Sequence, residues 1–189
     1  MKASVFVGMS VDGFIARRDD RLDFLDTSDG SDADSGAGGG GHGFEEFIAS
    51  VDALVMGRRT YDVVLGFGQW PYGKKPVFVL SKRRLKKAPK GAVVERLSGE
   101  PADVVNQLEK RGLEHLYVDG GATIQRFLAA GLIDRLVLSR VPVLIGKGIS
   151  LFGKLPHDVR LKHVATRTFP GGLVQTEYNV MRATVSRAD

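Results

Sequence analysis

The sequence predicts an α/β fold in which a mostly parallel sheet carries helices on both faces and ends in an antiparallel carboxyl-terminal hairpin. Short apolar runs typical of buried strands alternate with helix-like segments through most of the 189 residues. Such alternation favours parallel strands joined by helical crossovers, in three α/β/α layers. The last third reads as strands alone, at 135–143, 161–168 and 173–181, with Pro170-Gly171-Gly172 as the final turn.

The first half supplies three of the parallel strands. Residues 4–10, 53–56 and 76–81 are short apolar runs rich in valine and phenylalanine. Residues 44–50 place Phe44, Phe47 and Ile48 on one face, which predicts a helix, and a shorter helix follows Gly57. Between the first strand and Phe44 we expect a polar loop from about Asp12 to Gly43. Its glycine run at 36–41 is typical of a mobile loop near a site.

The middle of the chain repeats the strand–helix unit twice. A strand at 92–97 precedes a helix at 101–111, which has Pro101 in its first turn and Gly112 just past its end. A strand at 115–118 precedes a helix at 122–130 that stops at Gly131. Because no linker divides the chain, we expect residues 1–189 to form a single domain.

Composition excludes several classes of protein. The absence of cysteine rules out disulfides and thiolate chemistry, and the four histidines lack the spacing of a metal site, so no metal is expected. No apolar run suits a signal peptide or a membrane span, which favours a cytoplasmic protein without a membrane partner. The net charge of +5 suits an anionic ligand. The basic run 82–87 lacks interleaved aromatic residues, which argues against a nucleic-acid partner.

Three strand ends carry groups suited to binding phosphate. They are Met56-Gly57-Arg58-Arg59-Thr60-Tyr61, Leu80-Ser81-Lys82-Arg83 and Val118-Asp119-Gly120-Gly121-Ala122-Thr123-Ile124. Taken singly, an Arg-Arg pair is usually a solvated surface and a Gly-Gly pair a plain turn. Together, at the carboxyl ends of parallel strands, they predict a ligand site that offers cations, hydroxyls and backbone N–H groups.

These motifs, with Gly8-Met9-Ser10-Val11-Asp12-Gly13-Phe14-Ile15-Ala16, resemble the dihydrofolate-reductase-like superfamily. More closely, they resemble the reductase domain of the bifunctional riboflavin-biosynthesis deaminase–reductase, the RibD C-terminal domain, and its stand-alone members. The resemblance runs from about Ala3 to Met181. It implies a dihydrofolate-reductase-like fold, an NADPH cofactor and a homodimer.

The resemblance also implies which residues bind the cofactor. Those matching the phosphate-binding motif are Gly57, Arg58, Arg59 and Thr60. Ser81 and Lys82 match the loop that selects NADPH over NADH. The turn over the cofactor phosphates is matched by Gly120, Gly121, Ala122, Thr123 and Ile124. In relatives the peptide between the two glycines is cis. Residues matching the positions that hold the nicotinamide carboxamide are Gly8, Ile15 and Ala16.

The substrate side differs from the folate enzymes. Their ring-binding carboxylate would fall near Gly41-His42 here, where the chain has none. We choose Asp23, in Leu22-Asp23-Phe24-Leu25, as the first catalytic candidate, ahead of Glu45. Asp12 belongs to the family motif and is the second candidate, although an aspartate in a turn often bonds only to nearby backbone.

The resulting prediction is an NADPH-dependent reductase of a small pyrimidine- or pterin-type substrate. It would be similar to 5-amino-6-(5-phosphoribosylamino)uracil reductase. Two alternatives stay open: a dihydrofolate or pterin reductase, and a non-catalytic NADPH-binding protein. The fold alone does not separate them.

Overall fold

One eight-stranded sheet organises the computed structural model, which describes residues 1–26 and 41–182. The strand order is β5-β4-β3-β6-β1-β7-β10-β9. The strands are β1 (Lys2–Ser10), β3 (Ala53–Gly57), β4 (Pro76–Leu80), β5 (Val93–Leu97), β6 (His115–Asp119), β7 (Arg135–Val141), β9 (Leu161–Thr168) and β10 (Val174–Val180). The first six of these are parallel to one another. The predicted mostly parallel sheet is therefore confirmed.

In the described part of the chain, four helices form the outer layers, and each buries one apolar face on the sheet. They are α1 (Phe44–Ser50), α2 (Arg58–Val64), α3 (Pro101–Glu109) and α4 (Gly121–Ala129). Side chains of α3 and α4, such as Leu108 and Phe127, pack in one core cluster. Those of α1 and α2, such as Phe47 and Tyr61, pack in the cluster on the opposite face. This arrangement confirms the three-layer α/β/α prediction.

The carboxyl-terminal hairpin also matches the prediction. β10 pairs antiparallel with β7 on one side and with β9 on the other. The turn contains Gly171 and Gly172 at φ 74° and 82°, a backbone region that glycine enters without steric cost. Strand β9 forms the edge of the sheet, and nearly all of its residues are exposed.

Part of the predicted loop from Asp12 to Gly43 is ordered into short elements. β2 (Phe14–Ala16) pairs antiparallel with β8 (Ile149–Ser150) in a separate ribbon. A single 3-10 turn, Asp23–Leu25, then lies against β1. Positions 36–40 of the glycine run lie outside the described residues.

The register of the parallel strands aligns their carboxyl ends along one edge of the sheet. Gly57 at the end of β3 is opposite Leu80 at the end of β4. On its other side, Met56 is opposite Asp119 at the end of β6. The three motif-bearing strand ends therefore meet at the same edge. No helix in the described part of the chain is long and apolar enough to cross a membrane.

Candidate active site

The junctions β3–α2 and β6–α4 fit together through two glycine–threonine contacts. A Cβ atom on Gly120 would overlap Oγ1 of Thr60, and one on Gly57 would lie 3.1 Å from Oγ1 of Thr123. Gly120 also has φ 88°, which disfavours any side chain there. Glycine at these positions lets the two junctions approach until each threonine occupies the space beside the other's backbone.

The turn that begins α4 differs in one respect from what the family resemblance implies. No cis peptide occurs in the described residues, so the expected cis bond between Gly120 and Gly121 is instead trans. Thr123 and Ile124 are buried, and the Ile124 side chain belongs to the core. What this turn presents to a ligand is therefore backbone, because the first N–H groups of a helix have no partner within it.

Both arginines of the β3–α2 junction are paired with carboxylates. Arg58 Nη1 lies 3.3 Å from Asp62, one turn along α2. Arg59 reaches out of its helix: Nε donates to Asp20 at 2.8 Å and Nη2 donates to the Arg18 carbonyl at 2.8 Å. The two motif arginines therefore face different surroundings.

The loop after β4 is attached to the same helix. Asp62 also pairs with Lys86 at 3.3 Å, and the Tyr61 hydroxyl donates to the Lys86 carbonyl at 3.1 Å. Ser81 Oγ accepts from the Arg83 N–H at 3.0 Å and so closes a tight turn. Lys82 follows on the surface, where its carbonyl accepts from Arg96. The loop after β4 thus brings one cation, Lys86, to the carboxylate that also pairs with Arg58.

The predicted nicotinamide-side residues adjoin the same edge. Ile15 in β2 is close to Gly121, since a Cβ on that glycine would lie 3.2 Å from Ile15 Cδ1. Ala16 is buried in the ribbon. On β1, Leu25 from the 3-10 turn covers Gly8, and a Cβ on that glycine would lie 3.2 Å from Leu25 Cδ2. The structure therefore brings all the predicted cofactor segments to one edge of the sheet.

The two predicted catalytic carboxylates are both hydrogen-bonded acceptors. Arg17 Nε donates to Asp23 at 2.7 Å, and this bond lowers the pKa of Asp23. Asp12 accepts from the N–H groups of Ile145 and Gly146 at 3.3 and 2.7 Å. A hydrogen bond with Ser10, followed by those two amides, lowers the pKa of Asp12. At neutral pH both carboxylates are ionised, which suits them to binding or orienting rather than to donating a proton.

Asp119 is a functional candidate that the sequence analysis placed in a motif without giving it a role. It ends β6, two residues after Tyr117 and on the same face. Burial raises its pKa to about 6, against the opposing effects of the Gly120 N–H at 2.7 Å and of Tyr117. An acid directly after an apolar run was the signal available in the sequence, but the partial burial of Asp119 depends on tertiary packing.

A second missed feature is a buried polar pair on β7 and β10. Ser139 lies opposite Gly8 on β1 and opposite Gln175 on β10. The Gln175 amide Nε2 donates to the His42 carbonyl at 2.9 Å and to Ser139 Oγ at 3.0 Å. Because Ser139 Oγ accepts in that bond, its own proton is available to a further acceptor. Nothing in the local sequence pattern indicates this pairing across 36 and 133 residues.

Within the described residues, no group of three or more histidine, aspartate or glutamate side chains could hold a metal ion. The groups that the described residues bring to this edge include cations, backbone N–H groups, hydroxyls and the partly buried carboxyl group of Asp119.

Comparison with solved structures extends the resemblance. A Shewanella sp. PV-4 protein, provisionally named a riboflavin biosynthesis protein, is 38% identical with a TM-score of 0.82, over 96% of this chain and 100% of that one. The Thermotoga maritima diaminohydroxyphosphoribosylaminopyrimidine deaminase/5-amino-6-(5-phosphoribosylamino)uracil reductase is similar in fold alone. It is 14% identical with a TM-score of 0.69, over 95% of this chain and 56% of that one.

Dihydrofolate reductase from Enterococcus faecalis, complexed with NADP(H), shares the fold as well. It is 14% identical with a TM-score of 0.60, over 95% of this chain and 96% of that one. The fold is therefore dihydrofolate-reductase-like, as predicted. Residues 2–175 match the family described as the RibD C-terminal domain. The chain belongs to the RibD C-terminal domain family.

Proposed function

We propose that this protein is an NADPH-dependent reductase of a small pyrimidine-type substrate. The observation that carries the proposal is the meeting of three phosphate-suited strand ends at one edge of the sheet, beside the partly buried Asp119. Family membership supports a reductase. The uracil reductase activity in the name of the Thermotoga protein supports a pyrimidine, and the NADP(H) in the Enterococcus complex supports the cofactor.

The residues present fit a dinucleotide that carries an extra phosphate. Gly57 and Gly120 let the two junctions pack against each other through Thr123 and Thr60. The free backbone N–H groups at the starts of α2 and α4 therefore lie near each other, where an anion can accept from both. Arg58 and Lys86 lie on either side of Asp62, which gives a local surplus of positive charge. Guanidinium groups bind phosphate through two parallel hydrogen bonds. In this proposal the phosphates of NADPH are held by Arg58, Arg59, Thr60, Ser81 and Lys82.

The protein's part in the reaction is to position the reactants and to supply a proton. When bound, NADPH would supply the hydride for an electrophilic carbon of the substrate. Asp119 holds a proton below about pH 6 and can donate it to the substrate heteroatom. Asp23 and Asp12, both ionised, orient substrate or loop rather than protonate. The nicotinamide side of the site is lined by Gly8, Ile15 and Ala16.

A pterin substrate is the second candidate, because the Enterococcus neighbour is a dihydrofolate reductase. Consumption of NADPH with dihydrofolate, blocked by methotrexate, would favour that alternative. Consumption with a phosphoribosylamino-pyrimidine and not with dihydrofolate would favour the first proposal. Tight cofactor binding with no turnover of either would favour a non-catalytic NADPH-binding protein.

The first experiment compares NADPH with NADH binding, followed through the fluorescence of Trp70 and the tyrosines. We expect NADPH to bind more tightly and the preference to be lost in the double variant Arg58→Ala, Arg59→Ala. The control is Arg111→Ala, Arg182→Ala, which removes the same charge from two other ion pairs. Absence of binding by the unmodified protein would contradict the proposal.

The family resemblance also implies a homodimer, and we include it in the proposal together with a cytoplasmic location and a single domain. The exposed edge strand β9 supports self-association, because its unpaired backbone groups and exposed Leu161 and Val164 are available to a partner. Light scattering of the purified protein tests this. A mass equal to the 20.5 kDa chain across the micromolar range would contradict the dimer.

A further inference from the structure

A tight turn holds a carboxylate against one of the cofactor-motif arginines. In the turn, the Arg17 N–H donates to the Arg21 carbonyl at 2.9 Å, and the Asp20 N–H donates to the Arg17 carbonyl at 3.1 Å. Asp20 has φ 69°, a left-handed conformation that few residues other than glycine, asparagine and aspartate adopt readily. The backbone therefore fixes where the Asp20 side chain begins.

Arg59 binds this turn at two points. Its Nε donates to the Asp20 carboxylate, and its Nη2 donates to the Arg18 carbonyl, both at 2.8 Å. These contacts span 39 and 41 residues of sequence, so they join the turn to the β3–α2 junction. The Asp20 side chain is 31% exposed and the Arg59 side chain 60% exposed, which leaves the pair accessible to a ligand.

A carboxylate and a phosphate oxygen use the same donors of a guanidinium group. Arg59 cannot keep both of its present contacts and also bind a phosphate with the same two nitrogens. We propose that Asp20 is an internal anion that competes with the cofactor phosphate for Arg59 and thereby sets cofactor affinity. This inference rests on the proposed function, and Asp20 acts in it as a positioning residue.

The competition reaches the substrate side through the same turn. Arg17, the first residue of the turn, pairs with Asp23 at 2.7 Å and lies 5.8 Å from the centre of the Phe24 ring. When a phosphate takes these donors of Arg59, the turn loses two hydrogen bonds with α2, and the Arg17–Asp23 pair becomes freer to shift. Linkage between two binding sites is reciprocal. If the cofactor changes the affinity for a substrate that binds Asp23, that substrate changes the affinity for the cofactor by the same factor.

The test is NADPH affinity in Asp20→Asn, with Asp19→Asn as the matched control. Asparagine tolerates the left-handed backbone, so the turn is retained. Asp19 carries the same charge one residue away but pairs with Arg21 instead of Arg59. At fixed ionic strength we expect Asp20→Asn to lower the Kd for NADPH roughly 2- to 5-fold, which corresponds to the energy of an exposed ion pair. Asp19→Asn should change the Kd for NADPH less.

A second readout separates this competition from a merely structural role. Hydrogen exchange of the Arg17 and Asp20 amides should speed up in the unmodified protein when NADPH is added, since the turn is released. A loss of structure in Asp20→Asn would weaken NADPH binding, whereas release of Arg59 strengthens it. Equal Kd values for the two variants, or slower exchange with NADPH, would overturn the inference alone. No NADPH binding by any variant would overturn it together with the proposed function.

Discussion

The side chain of Thr60 occupies the space where a Cβ atom on Gly120 would lie, so the glycine of this motif is needed for the two junctions to pack together. Sequence motifs identified both residues, together with the reciprocal pair Gly57 and Thr123. They could not indicate that each glycine faces the other junction's threonine, because that contact depends on how β3 and β6 pair. The same limit explains Asp119, whose partial burial near Tyr117 follows from the assembled sheet.

We expect Gly120→Ala to lower the free energy of unfolding by about 2–4 kcal/mol, because the new methyl group overlaps Thr60 Oγ1 and the φ of 88° strains any side chain. Urea denaturation measures the change. The control is Gly66→Ala, where no atom lies within 4 Å of the added carbon, and its effect should stay within about 0.5 kcal/mol. Similar values for the two variants would show that the close contact is wrong.

Asp119 should make stability depend on pH in an unusual direction. Its pKa is raised from 3.8 to about 6 in the folded protein, so between these values the folded state binds more protons than the unfolded state. The free energy of unfolding therefore falls as pH rises through this window. The asparagine of Asp119→Asn cannot ionise. At pH 8 we therefore expect the free energy of unfolding of this variant to be about 1–3 kcal/mol higher than that of the unmodified protein.

The control for this measurement is Asp52, whose carboxylate accepts from the N–H groups of Glu114 and His115 at 2.8 Å each. Those two bonds lower the pKa of Asp52 from 3.8. The stability that the ionised carboxylate contributes is therefore present above pH 3.8 and is lost as the pH falls below that value. Asp52→Asn should therefore destabilise the protein at neutral pH, opposite in sign to Asp119→Asn. Urea midpoints at pH 4 and pH 8 that do not separate the variants in this way would contradict both assignments.

At the scale of elements, the local sequence pattern was sufficient to predict a helix or strand wherever that segment buries an apolar face of its own. The prediction for α1 agrees with the structure at both ends, and the strands agree to within a few residues. The β2–β8 ribbon was missed, because its strands have three and two residues and their pairing joins segments more than 130 residues apart. Apolar periodicity needs longer runs to be visible.

The segment between β7 and β8 depends on Asp12 in the same long-range manner. Because both of its carboxylate oxygens accept backbone N–H groups there, we expect Asp12→Ala to speed hydrogen exchange at Ile145 and Gly146. Asp12→Asn, which keeps one acceptor oxygen, should have the smaller effect. Exchange at Val5 in the core of β1 is the internal reference. Unchanged rates at 145 and 146 in the alanine variant would show that Asp12 has no role in holding this segment.

For the whole molecule, the layers follow from strand–helix alternation, whereas the strand order does not. Nothing in the order of the segments along the chain indicates that β6 inserts between β3 and β1. That insertion brings the Gly120 turn next to the Arg58 junction. The resemblance to a known fold supplied this information at the sequence level, and periodicity could not have done so.

The net charge of +5 should make cofactor binding sensitive to salt. NADPH carries one phosphate more than NADH. Screening of the site's cations by salt should therefore weaken NADPH binding more than NADH binding. We expect the ratio of the two Kd values to shrink toward one as sodium chloride rises from about 20 to 500 mM, a range over which the screening length falls severalfold. A ratio that does not change with salt would mean that the preference is not electrostatic in origin.

The reciprocal glycine–threonine contacts also constrain how this protein can evolve. A side chain larger than hydrogen at position 120 requires a smaller one at position 60, whereas at positions 57 and 123 a small shift of the threonine is needed. Substitutions at either junction are therefore conditional on the residue across from it. Among homologous sequences, we expect positions 60 and 120 to covary although they lie far apart along the chain.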